Sequence, residues 1–443
     1  MISNKLPVYK KIVSKLLAEK NSDESGQLLN VYHQALAMKT RVKKLTDKNQ
    51  TPCYLFDPVG LEQSISEFKK AFDKYLPNHQ DYYAMKANPF PELLKIILKR
   101  GLGLDVSSGR ELQIALDYGA KKLIFTGPGK TEAELKFAVK HRDRVIILID
   151  SFSELNRLAK LLKGKNIKIR AGVRVFTKFH GPWTKFGIDF KELAKFWQEA
   201  QKYPQLELQG IHCHMSWSES AKPFGEMIGE IGKYLKSNFS DEMKATLRFI
   251  DLGGGFCPEK TDGYYPWTIP QGEIIKIAAE YQGKKPEFAE KYYLTETANI
   301  ISYAQGIALA IKNNFSGLKS CQYFFEPGRI LATKAMHLVF RVIDVKSKDS
   351  VILDGGINMA GWESYLYNYC PVINLTHPAA KEIKVTLYGS LCAPDDILGF
   401  YCYASKISEG DLLIMPNQGA YTYTWAQNFI KAIPPVYNLK LNI

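Results

Sequence analysis

The sequence predicts an α/β chain: a (β/α)8 barrel, preceded by a helical extension and followed by a β-rich second domain. Between residues 81 and 328, eight short apolar runs alternate with helix-period patterns, as expected of parallel strands joined by helical crossovers. Past Arg329 strand runs follow one another, separated by turn residues with few helical intervals. Residues 1–50 carry two amphipathic patterns, one through Ile12, Val13, Leu16 and Leu17, the other through Leu28, Tyr32, Leu36 and Val42, which read as an added helical layer.

In chain order, Thr51 to Asp57 reads as a leading strand, assigned to the β domain, and Leu61, Ile65, Phe68, Phe72 and Leu76 follow at helix period. The barrel runs are 81–86, 102–107, 123–128, 144–150, 167–175, 206–215, 247–255 and 322–328. Ser108-x-x-Glu111 and Thr131-x-x-Glu134 mark helix starts as capping boxes, in which side chains satisfy backbone donors left open at a helix end. The segment from Phe256 to Thr295 is rich in Pro, Gly and Tyr and predicts excursions near the barrel mouth. Strands are expected at 339–345, 351–353, 383–388 and 411–415. The expected domains are therefore 1–50, 51–330 and 331–443, with 51–57 lent to the last.

Composition narrows the function class. The chain has 443 residues, 46% hydrophobic, enough for a large core. Its seven cysteines, at 53, 213, 257, 321, 370, 392 and 402, form no Cys-x-x-Cys pair, which argues against a zinc knuckle or disulfide framework and for a reducing compartment. The first residues lack an apolar h-region, and no apolar run approaches the roughly 20 residues that span a bilayer. A cytoplasmic protein is expected, with no metal and no membrane partner. The net charge of +14 is dispersed, which reads as a solvated basic surface rather than a nucleic-acid interface.

Barrel enzymes place their chemistry at the C-terminal ends of the strands, often with a phosphate site after the seventh and eighth. Lys86 ends the first run, His214 the sixth; Gly253-Gly254-Gly255 follows the seventh and Glu326-Pro327-Gly328-Arg329 closes the eighth. A lysine so placed can form a Schiff base with an aldehyde cofactor, or simply keep its charge in water. Consecutive glycines let backbone N–H groups approach a phosphate, although tight turns use them too, and Arg329 can offer the same oxygens a charge-assisted fork. Glu111 is as much a helix cap as a site residue and stays outside the catalytic set. His212 points the same way as His214 by period two, with packing as its alternative reading.

Over residues 51–435 the chain resembles the fold type III pyridoxal-phosphate decarboxylases, the group of the diaminopimelate and ornithine decarboxylases. The motifs that carry the resemblance are Tyr83-Ala84-Met85-Lys86-Ala87-Asn88, Ser107 to Leu112, Thr184 to Ile188, Gly253 to Phe256, Glu326 to Arg329, Leu391-Cys392-Ala393-Pro394-Asp395-Asp396 and Gly419-Ala420-Tyr421-Thr422. The resemblance implies an alanine racemase-like barrel and pyridoxal 5'-phosphate as cofactor. Lys86 would hold that cofactor covalently, His214 would stack on its ring, and Gly254, Gly255, Arg329 and Tyr421 would bind its phosphate. Glu326 would pair with the ring nitrogen and keep it protonated, making the cofactor a strong electron sink suited to decarboxylation. Cys392 would be the proton donor, supplied in relatives by the second subunit of a homodimer.

The chain departs from that pattern in three places. Where diaminopimelate decarboxylases carry an arginine for the substrate's distal carboxylate, Asp354-Gly355-Gly356-Ile357-Asn358 is followed by Trp362-Glu363-Ser364-Tyr365-Leu366; an indole cannot supply a bidentate fork. Ala393 stands where relatives carry an acidic residue, and Trp217 where they carry a phosphate-binding serine. The cysteine motif is similar to that of a carrier-protein-dependent glutamyl decarboxylase. The expectation is a decarboxylase of an amino acid or carrier-tethered aminoacyl substrate other than diaminopimelate, with Trp362, Glu363 and Asp395 as candidate substrate contacts. The alternatives are a genuine diaminopimelate decarboxylase, an amino-acid racemase, or a non-catalytic homologue.

Overall fold

The computed structural model describes residues 26–177, 185–259, 262–268, 270–283, 292–295, 297–318, 320–361 and 364–440. The chain divides into two compact units: Pro58–Glu259 with Thr297–Thr333, and Met1–Asp57 with Lys260–Glu296 and Lys334–Ile443. The expected helical pattern at Ile12–Leu17 lies outside the described residues.

The first unit is the expected barrel. Its strands are β2 (His79–Ala84), β3 (Gly103–Val106), β4 (Leu123–Phe125), β5 (Val145–Ile149), β6 (Ile169–Phe176), β7 (Leu206–His212), β8 (Phe249–Asp251) and β9 (Gln322–Phe325), after the leading strand β1 (Cys53–Phe56) of the other unit. Each pairs in parallel with its chain neighbour, except that β2 pairs with β9, which closes the ring. Apolar side chains fill the inside: Tyr82, Ile124, Ile146, Leu148, Phe249 and Phe324 form one buried cluster, and the Phe249 and Phe324 rings stack with centroids 4.5 Å apart. Gly210 makes room for this filling, since a Cβ there would sit 2.1 Å from the Phe249 ring. Helices between the strands start as the caps predict. Thr131 and Glu134 form a complete capping box. At Ser108 only half of one forms, because Glu111 Oε2 accepts the N–H of Ser107 instead, at 2.7 Å.

The second unit is built on a nine-stranded sheet in which β10 (Met336–Ser347) lies between β1 and Leu412–Met415, with antiparallel pairing on both sides. Helix α1 (Gly26–Lys48) buries Leu28, Tyr32, Ala35, Val42 and Leu45 in one cluster with Leu55, Val339, Ile373 and Ile414. The described part of the N-terminal extension is thus core to this unit. The Pro-, Gly- and Tyr-rich segment divides near Glu259: its described residues between 262 and 295 belong to the β unit, where Tyr264 pairs with Asn368 and with Tyr293. Tyr292 and Tyr369 stack there, and their hydroxyls donate to the two oxygens of Glu382 at 2.7 Å each. Among the described residues no helix is long and apolar enough to cross a membrane.

Candidate active site

The C-terminal ends of β2, β3, β7, β8 and β9 carry most of the chemistry, and several strands end earlier than their apolar runs. β2 stops at Ala84, whose N–H meets Pro327 O at 3.2 Å, and the chain leaves through the 3-10 turn Met85–Ala87. Lys86 therefore stands just past the strand. Buried Asn88 fixes that turn, accepting the Tyr83 hydroxyl on its carbonyl and the Phe90 N–H on Oδ1, both at 3.0 Å. The Lys86 side chain is 38% exposed, and its Nζ lies 3.5 Å from Oδ2 of Asp105 on β3, whose side chain is fully buried. The Thr126 hydroxyl donates to the other oxygen of Asp105.

β7 stops at His212; the N–H of Cys213 makes one more ladder bond, to Asp251 O at 2.9 Å, and His214 follows in the loop. Both imidazoles nevertheless address one carboxylate. Glu326, directly after β9, is buried; its Oε2 lies 2.8 Å from His214 Nδ1 and its Oε1 3.2 Å from His212 Nε2. The first is a hydrogen bond. The second approach leaves Oε1 without a well-aligned hydrogen bond.

Burial acting alone would raise the pKa of Glu326, but His212 and His214 hold it well below the usual carboxylate range. Burial also pushes His214 down to about 4 and His212 below its ordinary value, outweighing the attraction of Glu326. Negative charge therefore settles on Glu326 and its neighbours give way. Burial, and after it the charge on Glu326, pushes Asp105 up to about 7 and holds Asp251 well above the carboxylate range. Such an arrangement assigns one group as anion and the others as proton holders.

Beside this cluster lies a backbone cradle. Gly253 and Gly255 take positive φ, 68° and 92°, conformations that glycine adopts without steric cost. A Cβ on Gly254 would sit 2.4 Å from Glu326 O, and one on Gly255 2.0 Å from Met215 O. The Asp251 side chain accepts the Gly253 N–H at 2.9 Å. Arg329 opens the short helix Arg329–Ala332, and its guanidinium lies over the Trp217 ring, 5.1 Å from the centroid.

The barrel unit therefore contains Lys86, His214, Gly254, Gly255, Glu326 and Arg329, whereas Cys392, Asp395 and Tyr421 belong to the β unit. Cys392 and Asp395 are exposed on a loop fastened by the next residue. Buried Asp396 accepts the N–H groups of Ile357 and Leu391, each at 2.7 Å, one on each oxygen. Tyr421 is held in the left-handed region at φ 64°. Trp362 and Glu363 lie outside the described residues.

Sequence reasoning missed Asp105 and Asp251. Their signal was an acid inside an apolar strand run, which burial makes expensive unless the acid has a task or a partner. His212 proves to be more than packing, since it contacts Glu326. His212, His214 and Glu326 also converge closely enough for a metal ion, with ligand atoms within 4.8 Å of one another. However, His214 Nδ1 and Glu326 Oε2 are already hydrogen-bonded to each other at 2.8 Å, so the three read as a carboxylate held between two imidazoles, one of them hydrogen-bonded to it.

Residues 62–333 match the family model described as the pyridoxal-dependent decarboxylase, pyridoxal binding domain. Over 407 residues the chain is 27% identical to a diaminopimelate decarboxylase of Aquifex aeolicus, covering 88% of this chain and 86% of that one. Among solved structures, the diaminopimelate decarboxylase of Helicobacter pylori complexed with L-lysine is similar with a TM-score of 0.72 at 24% identity, covering 90% of this chain and 94% of that one. The lysine/ornithine decarboxylase of Vibrio vulnificus complexed with putrescine has a TM-score of 0.70 at 20% identity, covering 91% and 98%. These two structures support the fold.

Proposed function

We propose that this chain, which belongs to the pyridoxal-dependent decarboxylases, removes the α-carboxyl group of an amino acid or amino-acid conjugate other than diaminopimelate. Membership makes pyridoxal phosphate its cofactor and carbon–carbon lysis its reaction class. The residues fit that group. Lys86 has a half-exposed amine for the aldehyde, Arg329 and the glycine cradle suit a phosphate, and Oε1 of Glu326 is a buried acceptor without a well-aligned partner. When bound, pyridoxal phosphate supplies an electron sink for the pair left behind as carbon dioxide departs.

Glu326 carries the reading. A buried carboxylate held ionised by two imidazoles is the partner a protonated ring nitrogen requires, and it favours decarboxylation over racemisation. In this scheme Lys86 holds the cofactor covalently, Asp105 orients the lysine amine, His214 lies against the ring, and Gly254, Gly255, Arg329 and Tyr421 bind the phosphate. Cys392 delivers a proton to the α-carbon from a second copy in a homodimer. Trp362, Glu363 and Asp395 shape the substrate end, and Trp362 in place of an arginine argues against a distal carboxylate there. The second reading is diaminopimelate decarboxylation itself, favoured by the name of the Aquifex aeolicus relative.

The test is carbon dioxide release by the cofactor-loaded protein from diaminopimelate, other free diamino acids, dicarboxylic amino acids and carrier-tethered aminoacyl groups, with Cys392→Ala alongside. Release from one class other than diaminopimelate, lost or diverted in the variant, is expected. Full activity on free diaminopimelate would sink the substrate claim, and α-proton exchange without carbon dioxide would indicate a racemase.

A further inference from the structure

We propose that Trp217 is a positioning residue for the cofactor's phosphate: its indole face holds the Arg329 guanidinium in the orientation that meets the phosphate. The inference rests on the cofactor reading above and extends it to a residue outside the glycine cradle. The guanidinium lies 5.1 Å from the Trp217 ring centroid, inside the range in which a cation is attracted to a ring face. An arginine is a weak phosphate fork while its long side chain can rotate, because each rotamer lost on binding reduces the affinity. Fixing it beforehand removes that loss.

Trp217 is itself fixed, although the residue is 46% exposed. The Ser218 N–H donates to Gly255 O at 2.9 Å and the Cys257 N–H to Ser218 O at 3.4 Å, so the loop carrying Trp217 is zipped to the glycine cradle. The Tyr303 hydroxyl donates to Ser218 O at 2.5 Å, and indole Nε1 donates to Glu219 Oε1 at 3.3 Å. On the other side, Gly328 lets the start of the Arg329 helix approach the Lys86 turn, since a Cβ there would lie 3.1 Å from Ala84 Cβ and 3.2 Å from Ala87 Cβ. A tryptophan this exposed gains little from burial at this position. Its stack on Arg329 gives it a task that a surface aromatic would not have.

The experiment compares binding of pyridoxal phosphate and of unphosphorylated pyridoxal to the cofactor-stripped protein by equilibrium dialysis, for wild type, Trp217→Phe and Trp217→Leu. Cation–π attraction at a partly exposed site predicts that Trp217→Leu weakens pyridoxal phosphate binding roughly 3- to 10-fold and leaves pyridoxal unchanged. Trp217→Phe keeps a ring face but loses Nε1, and should stay within about 2-fold of wild type. Equal phosphate preference in wild type and Trp217→Leu would overturn the proposal, as would equal losses for both ligands in Trp217→Leu, which would mean a general effect on the site. A wild-type protein that binds no pyridoxal phosphate at all would instead overturn the cofactor reading, and this inference with it.

Discussion

Glu326→Gln tests the reaction assignment most directly, because it removes one charge and almost no volume. In the wild type Oε2 shares a 2.8 Å hydrogen bond with His214 Nδ1, and Oε1 lies 3.2 Å from His212 Nε2. Glutamine can keep one of these contacts through its carbonyl and must turn its amide N–H2 towards the other imidazole. Loss of a buried, charge-assisted hydrogen bond costs about 1–3 kcal/mol in stability, so the fold survives. The larger effect is on the reaction: removing one preorganised electrostatic partner of the developing charge typically costs 100- to 1000-fold in kcat, about 3–4 kcal/mol of barrier. The assay is carbon dioxide release at saturating substrate, normalised to bound cofactor measured by its visible absorbance. A kcat within about 3-fold of wild type at full cofactor occupancy would refute the reasoning, leaving Glu326 as a clamp for two imidazoles.

Two further perturbations test the electrostatics around that site. Asp105 holds its proton to about pH 7 in the folded chain, against roughly 3.9 when unfolded. Between these values the unfolded chain binds fewer protons, so the stability of the cofactor-free protein falls as pH rises from about 4 to about 7 and then levels off. Asp105→Asn should flatten the fall in unfolding free energy between pH 5 and pH 7.5, read by urea titration, by up to about 2–3 kcal/mol. A residual slope should remain, because burial also pushes Asp81 up to about 7; an unchanged profile would show that Asp105 is not the titrating group. Elsewhere in the barrel, Lys130 Nζ donates to Glu154 Oε1 at 2.9 Å and to Leu148 O at 2.7 Å, with both side chains only 1% exposed. Burial lowers Lys130 and raises Glu154 despite their pairing. Lys130→Met should therefore cost about 3–5 kcal/mol by leaving a carboxylate buried and unpaired, and Lys130→Met with Glu154→Leu should recover most of it. Urea unfolding checks both, and a single variant as stable as wild type would show that the pair carries no buried charge.

What could be read in the sequence was what is local along the chain. Strand runs, helix periods and the Thr131 capping box depend on neighbours within a few residues, and the barrel order followed from their alternation. The fine endings were not legible, because strands stop where a cross-strand partner stops: β2 at the Pro327 carbonyl and β7 one ladder bond before His214. Period-two counting placed His212 and His214 on one strand, yet the strand ends between them and they reach Glu326 from different backbone conformations. Asp105 and Asp251 stood out only as acids inside apolar runs, a signal that names no task. Their significance depends on where negative charge settles among groups brought together from β3, β8 and the end of β9, and sequence order says nothing of that.

The charge distribution also explains why the position after β9 decides the chemistry more than the lysine does. Three carboxylates, of Asp105, Asp251 and Glu326, lie close enough to raise or lower one another, so they cannot all be ionised in a buried space. Only Glu326 has two imidazoles beside it, and they tip the balance towards its ionisation. Asp105, left protonated or shared with the Lys86 amine 3.5 Å away, can pass a proton to that nitrogen, and the carboxylate it then becomes is paired with the ammonium, so the net charge of the site is unchanged. If the imidazoles set this division, His212→Leu should move it, although the His212 side chain is fully buried. The Asp105 proton would then be released at lower pH, as Glu326 becomes easier to protonate and repels it less. A pH–rate profile of His212→Leu that coincides with wild type would show that Glu326 is held ionised by something other than this pair.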